Sequence, residues 1–578
     1  MVNILGINAY HGDSSAALIQ DGQLVAACEE ERFNRIKHWA GFPAESIRQC
    51  LKLGGISAGD VDHVALSFDP RANLGRKLLF TLKQPGMLRR ALGRLQRQAK
   101  VAGLPAQFAE AAGCAPEKIR AQFHHVEHHL AHVASSFFVS GSEKSAVLSV
   151  DGMGDFTSTL LAGGEGLEIT EFDRVYYPHS LGLLYNAITL YLGFPAYGDE
   201  YKVMGLAPYG EPEYLEFFRR LIFPRGDTFA LNLDYFTHHR QGIAMSWNGG
   251  VPQVNPFHSA RLEKELGPAR VSRAELTKKH ENIAASLQAV TEEIVFHLLN
   301  RLHAKYPVDQ VCLAGGVAMN SVANGKVSRN TPFRHVFVPV GAADNGTALG
   351  AAFHVWHRGL KKPRSFVLDH AYWGDEASES ECLAAIEGEP VRSERMEQAP
   401  LIEKTIDALL EGKVVGWFQG RMEFGARALG NRSLIADPRR RDMQEIINLK
   451  IKFREKFRPF APSILEEYAG DWFEAAEPSP SMEKVLTVRS EKRDEIPAVV
   501  HVDGTGRLQT VSTKTNPLYH ALIEAFRKRT GVPILLNTSL NENEPIVQTP
   551  KQALSCMLRT RMDVLVLGNF WVERDEGN

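Results

Sequence analysis

The sequence runs to 578 residues, more than a single hydrophobic core organises, so at least two domains are expected. Its 66 Lys and Arg nearly cancel 68 Asp and Glu, leaving a net charge of -2, and this removes any global electrostatic argument for nucleic acid or a membrane surface as partner. Six cysteines (Cys28, Cys50, Cys114, Cys312, Cys382 and Cys556) lie scattered without a CxxC pair, which suits a reducing compartment and disfavours a disulfide scaffold or a structural zinc.

The opening MVNILGINAYHG enters a strand-like run directly, and no stretch reaches the roughly 18 apolar residues of a membrane helix. A cytoplasmic protein is expected, with neither membrane nor nucleic acid as partner. VNILGINA, SSAALIQ and QLVAACEEE read as three strands, and Asp21-Gly22 between the last two is a hairpin signal, because a two-residue turn needs residues that tolerate positive φ. The histidine-rich HHVEHHLAH follows. His128 and His132 stand four apart, so on a helix they share a face and can grip one cation, with Asp151 at the end of the next strand as a third ligand. SAVLSVDGMGD leading into STLLAGG repeats the hairpin pattern and suggests a duplicated lobe.

Between Glu281 and Tyr306, Ile283, Leu287, Val290, Ile294, Leu298 and Leu302 fall three or four apart, predicting a long helix whose apolar stripe is core. It feeds QVCLAGG, a strand ending in Gly315 and Gly316, and later HVFVPVG, another strand. Strands alternate with helices, so the fold class is α/β. Residues 70–120 and 225–270 have no clear period. WHRGLKKPRSF is basic and holds Pro363, placing a domain boundary near 360, with domains at 1–360 and 361–578.

Past that boundary EFGARALGNRS, KIKFREKFRPFAPS, HVDGTGRLQTV and LLNTSLNENEPIV supply Arg427, Arg432, Lys452, Arg458, Arg507, Asn537 and Ser539. Guanidinium forks and a lysine gathered in this way want an anion, a triphosphate or an acyl phosphate. Phe457, Pro459, Phe460 and Pro462 interleave them, which a solvated charged face would not need.

LGINAYHGDSSAALI, LSVDGMGD and LAGGVAMNS resemble the two phosphate loops and the adenosine loop of the actin-like ATPase superfamily. Gly152, Gly154, Gly315 and Gly316 there would let main-chain amides approach phosphate or nucleoside. EEERFNRIKH, HHLAH, YKVMGLAPYG, GGVAMNS and ADNGTALGAA resemble the O-carbamoyltransferase family, typified by tobramycin and nodulation-factor carbamoyltransferases, over nearly the whole chain. The resemblance implies a duplicated actin-like first domain similar to the tRNA threonylcarbamoyl transferase. It further implies metal ligands at His128, His132, Asp151 and Asp344, nucleotide contacts at Lys202, Asn320 and Asp344 besides the glycines, and reacting-group contacts at Lys37, His11 and Asp13.

The second domain is then similar to YrdC, and would make carbamoyl adenylate from carbamoyl phosphate and ATP, with Lys452 and Arg458 at the reacting group and Arg427, Arg507 and Ser539 in the substrate set. Two imidazoles with carboxylates accept iron, manganese or zinc; the resemblance favours iron, with ATP and magnesium entering as substrate. The acceptor would be a small hydroxyl-bearing compound. The sequence departs from the family's pattern in His11-Gly12-Asp13, where histidine directly before aspartate is usual, and in Ala426 and Leu540, where Pro and Phe are expected. The rival reading is a nucleotide-dependent switch of the actin-like superfamily, which needs only one phosphate-binding region, whereas this sequence offers such features in both halves.

Overall fold

The computed structural model describes residues 1–83, 103–246 and 251–575. Residues 1–31 and 36–368 form one compact unit, and residues 32–35 and 369–578 a second. The junction at Leu368–Asp369 lies beyond the stretch near 360 that composition singled out.

The first unit contains two five-stranded sheets of the same design. In one, β1 (Asn3–Asn8), β2 (Ser15–Gln20), β3 (Gln23–Glu29), β4 (His63–Leu66) and β5 (Gln122–His125) run in the order β3-β2-β1-β4-β5. The β1–β2 and β2–β3 pairs are antiparallel and the β1–β4 and β4–β5 pairs parallel. The other sheet, β6 (Lys144–Gly154), β7 (Thr157–Glu165), β8 (Glu168–Tyr176), β9 (Gln310–Ala314) and β10 (His335–Phe337), repeats this as β10-β9-β6-β7-β8 with the same sequence of pairings. The expected duplication is present. Asp21 and Gly22 take φ of 47° and 80°, as a two-residue hairpin turn requires.

Every residue of β1 is buried, because helices cover what an exposed face would leave wet. The His128–Phe137 helix packs on the Gly346–His354 helix, which in turn lies on β1. The long helix spans Lys278–Lys305 and buries all six residues of its predicted stripe. Within 70–120, helices occupy Leu74–Lys83 and Leu104–Ala111.

The second unit is built on a nine-stranded mixed sheet. In spatial order its strands are Val391–Arg395, Phe570–Arg574, Val564–Leu567, Val415–Phe418, Arg432–Ala436, Ile534–Ser539, Ala461–Leu465, Thr505–Val511 and Lys484–Thr487. Trp417, Leu434, Leu535 and Val566 are buried at its centre, with Leu409, Leu522 and Met557 from the covering helices. Residues 32–35 are stitched in by two arginines: Arg32 donates to Gly425 O at 2.7 Å, and Arg35 to Ile546 O at 2.8 Å and to Pro545 O.

Among the described residues no helix is long and apolar enough to cross a membrane.

Candidate functional site

In the first unit the His128–Phe137 helix starts at Glu127, whose carboxylate caps Leu130 N at 2.9 Å and is held in turn by Arg174. Asp155 Oδ2 accepts the amide of His128 at 3.0 Å and that of Asp69 at 2.7 Å, which fixes the first turn. One turn apart, the His128 and His132 rings meet at 87° with their Nε2 atoms 3.1 Å from each other. Asp151 arrives on β6 and presents Oδ2 to His128 Nε2 at 3.4 Å, while its Oδ1 accepts the amide of Gly316 at 2.8 Å. Asp344, before the Gly346–His354 helix, places Oδ1 at 3.4 Å from both Nε2 atoms.

These four ligand atoms lie within 4.8 Å of one another, and all four residues are buried. Asp344 Oδ1 has no hydrogen-bond donor, so a buried carboxylate oxygen and two imidazole nitrogens aim at one point, with Asp151 Oδ2 at 3.4 Å from the His128 nitrogen. Such a set of two nitrogens and two oxygens fits a divalent ion of the iron, manganese or zinc kind. Without a cation, burial opposes charge on His128, yet Asp344 and Asp151 outweigh it and hold that imidazole well above the ordinary range. Burial likewise opposes ionisation of Asp344, and His128 and His132 hold it well below the usual carboxylate range.

His11 stacks on the His128 ring, centroids 5.0 Å apart at 25°. Asp13, with φ of 56°, is paired with His38 Nδ1 at 2.7 Å, and Glu31 accepts the His38 amide at 2.8 Å. Burial lowers the His38 pKa, but Asp13 more than reverses this and raises it to about 9. Lys37 stands close enough to oppose that charge. Tyr197 packs edge-on to His38 at 5.5 Å; burial first, then Asp344, Asp13 and Asp151, push its phenol well above its ordinary value. The phenol is therefore within electrostatic reach of Asp344, Asp13 and Asp151, a placement not legible in the sequence because a tyrosine in FPAYGDE carries no spacing signal.

The expected nucleotide residues divide. Gly315 has φ of 90°, and a Cβ there would fall 2.2 Å from Val150 O; Gly316 spends its amide on Asp151. Gly152 borders open space, whereas a Cβ on Gly154 would enter the His128 ring. Gly154 thus makes room for a histidine, a function distinct from admitting phosphate. Asn320 caps Ala323 and exchanges two hydrogen bonds with Gln288. Lys202 is paired with Asp199 at 2.8 Å.

In the second unit, Arg507 from the Thr505–Val511 strand has a guanidinium pushed well below its ordinary range, by burial first and then by Arg427, Arg454 and Arg458. Its Nε has no hydrogen-bond acceptor. Arg454, which the sequence reading passed over, lies 4.5 Å over the Phe460 ring and donates to Asn448 Oδ1. Gathering like charges in one place is costly until an anion joins them.

Lys452 is buried and donates to Ser539 O, Asn541 O and Asn541 Oδ1 at 2.6–2.8 Å, tying its loop to the end of the Ile534–Ser539 strand. Ser539 Oγ in turn donates to Asn541 Oδ1. Asn537 Nδ2 reaches Ala428 O, Ser463 Oγ and Gln509 Oε1. Arg432 is not among the convergent cations. It is fully buried, lies 3.7 Å over the Phe418 ring, and donates to the carbonyls of Gln419, Gly420, Asn431 and Asp375. Burial lowers its pKa to about 10. It braces the loop that the phosphate reading assigned it to serve. That loop is also wrapped around Glu423, whose Oε1 accepts the amides of Leu429, Asn431 and Arg432 at 2.7, 2.8 and 3.2 Å.

Residues 3–353 match the carbamoyltransferase N-terminus family and residues 406–574 the carbamoyltransferase C-terminus family. The chain belongs to the carbamoyltransferase family. Nodulation protein NolNO of Sinorhizobium fredii is 40% identical over 582 residues, covering 98% of this carbamoyltransferase and 80% of its own length. Nodulation protein NolO of Bradyrhizobium diazoefficiens is 42% identical over 463 residues, 78% of this chain and 79% of its own. An uncharacterised Synechocystis protein, sll1178, is 40% identical over 606 residues, covering 99% and 96%. Among solved structures, HypF of T. kodakarensis aligns over 62% of this chain and 48% of its own with 14% identity and a TM-score of 0.32. Component A of the Acidaminococcus fermentans (R)-2-hydroxyglutaryl-CoA dehydratase aligns over 61% and 97% with 14% identity and a TM-score of 0.31.

As a carbamoyltransferase, the enzyme must hold a carbamoyl donor and bring a nucleophile to its carbonyl carbon. Its two units differ in chemistry, one holding a cluster of buried imidazole and carboxylate and the other a cluster of guanidinium groups.

Proposed function

We propose that this carbamoyltransferase moves the carbamoyl group of carbamoyl phosphate, at the expense of ATP and through carbamoyl adenylate, to a hydroxyl of a small natural product or saccharide. The observation that carries the reading is the guanidinium cluster of Arg427, Arg454, Arg458 and Arg507 in a chain that also holds the His128, His132, Asp151, Asp344 set.

In the first half-reaction carbamoyl phosphate loses inorganic phosphate to water and leaves carbamate, whose oxygen attacks the α-phosphorus of ATP. Pyrophosphate departs and carbamoyl adenylate remains. Arg427, Arg458 and Arg507 bind the phosphates, and Arg454 adds a fourth guanidinium; Glu455, 3.5 Å from Arg458, offsets part of this positive charge, and the anions offset more of it as they enter, so binding is coupled to charge. Lys452 shapes the Ser539–Asn541 loop, and Ser539, whose hydroxyl is held by Asn541, belongs to the set that would bind the donor.

In the second half-reaction the acceptor oxygen bonds to the carbamoyl carbon, its proton goes to a base, and AMP leaves. Gly152, Gly315, Gly316 and Asn320 frame the nucleotide, with Lys202 near its phosphate. His128, His132, Asp151 and Asp344 would hold a divalent metal, which would supply Lewis acidity when bound. His11 supports the His128 ring, and Lys37, beside the Asp13–His38 pair, adds a positive charge near the group in transfer.

Incubation of the enzyme with carbamoyl phosphate and ATP, without acceptor, tests the reading: pyrophosphate is released. Mass spectrometry of hydroxyl compounds added afterwards finds the mass of one carbamoyl group. Release of ADP and phosphate alone would instead assign the protein to nucleotide-driven switching.

A further inference from the structure

The Leu74–Lys83 helix of the first unit contains no buried residue. Leu74, Leu78, Leu79 and Leu82 are 54%, 63%, 55% and 69% exposed. At 100° per residue they share one arc of about 140°. The helix is held from its other side: Phe80 packs edge-on to Phe156 and Tyr177 at 5.6 and 5.3 Å, and Arg76 lies 3.8 Å over the Tyr176 ring. Asn73 secures the entry by donating to Asp155 O and Thr157 Oγ1. The leucines are therefore not what attaches the helix. Single exposed leucines need no explanation, but four on one arc do.

Charge narrows the choice of what they meet. Between Asp69 and Glu110 the sequence has no acidic residue and nine Lys and Arg, in a chain whose net charge is only -2. Four of the nine, Arg71, Arg76, Lys77 and Lys83, lie on or beside the described helix. The acids of neighbouring β8 do not cancel them, because Glu168 is paired with Arg358, Glu171 with Arg174 and Asp173 with Lys305. An apolar arc flanked by cations complements an apolar layer beneath anionic headgroups. A nucleic acid, or a protein surface that is acidic but has no apolar stripe, would answer the cations and leave the leucines wet, and a second copy would bring the same positive charge to itself.

We propose that the Leu74–Lys83 helix is an interfacial docking element that seats this enzyme reversibly on bilayers containing anionic lipid. The helix lies in the headgroup plane, with its leucines in the acyl boundary and its lysines and arginines among the phosphates. This is peripheral attachment, a different matter from spanning.

Full-length protein is sedimented with vesicles of phosphatidylcholine plus phosphatidylglycerol, and with vesicles of phosphatidylcholine alone. It pellets with the first and stays in solution with the second, and the bound fraction falls as salt is raised. The double variant Arg71→Gln, Lys83→Gln partitions about thirtyfold more weakly, since each cation near an anionic bilayer contributes about fivefold. Leu78→Ser with Leu82→Ser abolishes pelleting and leaves the thermal unfolding curve in place. Wild-type protein that ignores anionic vesicles, or variants that bind as it does, would overturn the proposal. So would leucine variants that melt earlier without lipid, which would make the arc an internal packing face, or that turn a dimer into a monomer in light scattering, which would assign it to a second copy.

Discussion

Gly154 lies so near His128 that a Cβ built on it would fall 1.9 Å from the ring's Cδ2. The imidazole occupies the space where a side chain on β6 would otherwise stand, so its aim at Asp151 and Asp344 depends on a hydrogen atom at that position.

Gly154→Ala should accordingly tilt His128 away from the shared focus. Metal retained through purification, measured by elemental analysis, drops several-fold relative to the unchanged protein, as it does for His132→Ala. Pyrophosphate release from ATP and carbamoyl phosphate continues in both. If either variant keeps full metal content, the donor set has been assigned to the wrong atoms.

Arg432 and Arg507 should separate cleanly. Arg432→Met strands four carbonyls that now share one guanidinium, and breaking a buried cation's bonds costs about 3 kcal/mol or more. Denaturant unfolding shows that loss, while the KM for carbamoyl phosphate in the folded protein is little changed. Arg507→Met relieves the repulsion among like charges and so does not destabilise comparably, yet it lowers kcat/KM for carbamoyl phosphate by about a hundredfold, the worth of one charged hydrogen bond to an anion or slightly more.

Arg454→Gln follows the same logic at smaller amplitude. About tenfold is lost in kcat/KM for carbamoyl phosphate, and the rise in melting temperature produced by inorganic phosphate shrinks. A variant that still responds to phosphate like the wild type would place Arg454 outside the anion's reach.

The Asp13–His38 pair gives stability a pH dependence of known sign. The His38 pKa is raised from 6.5 to about 9 in the folded protein, so the pair's contribution is fully present below 6.5 and disappears as pH rises towards 9. Unfolding free energy should fall across that window by at most about 3 kcal/mol. Asp13→Asn flattens the slope and returns the His38 titration, followed by NMR, towards its usual range. An unchanged slope would mean that other groups set it.

Much of this architecture is legible in the amino-acid order because it is local. Asp21-Gly22 announces its own turn, and His128 and His132 share a face by arithmetic alone. The stripe from Ile283 to Leu302 likewise encodes a buried helix. What escapes is whatever depends on the far side of a fold. Arg432 looks like any cation in RALGNRS, and only the pleat of a strand buried on both faces turns it inward onto Phe418. Glu423 has no motif, because the amides it collects become donors only after the loop closes. Tyr197 and Arg454 gain their meaning from neighbours distant in sequence. The apolar arc on Leu74–Lys83 was written plainly enough, but a helix that faces away from its own core is not found by searching for cores.

Residues 32–35 belong with a body whose remainder begins more than three hundred positions later. A polypeptide started at residue 369 would thus be born without the two arginines that clasp Gly425 and the Pro545–Ile546 turn. Severing the gene at the apparent seam therefore yields a second unit that lacks this splint and a first unit that carries residues 32–35 without their partners.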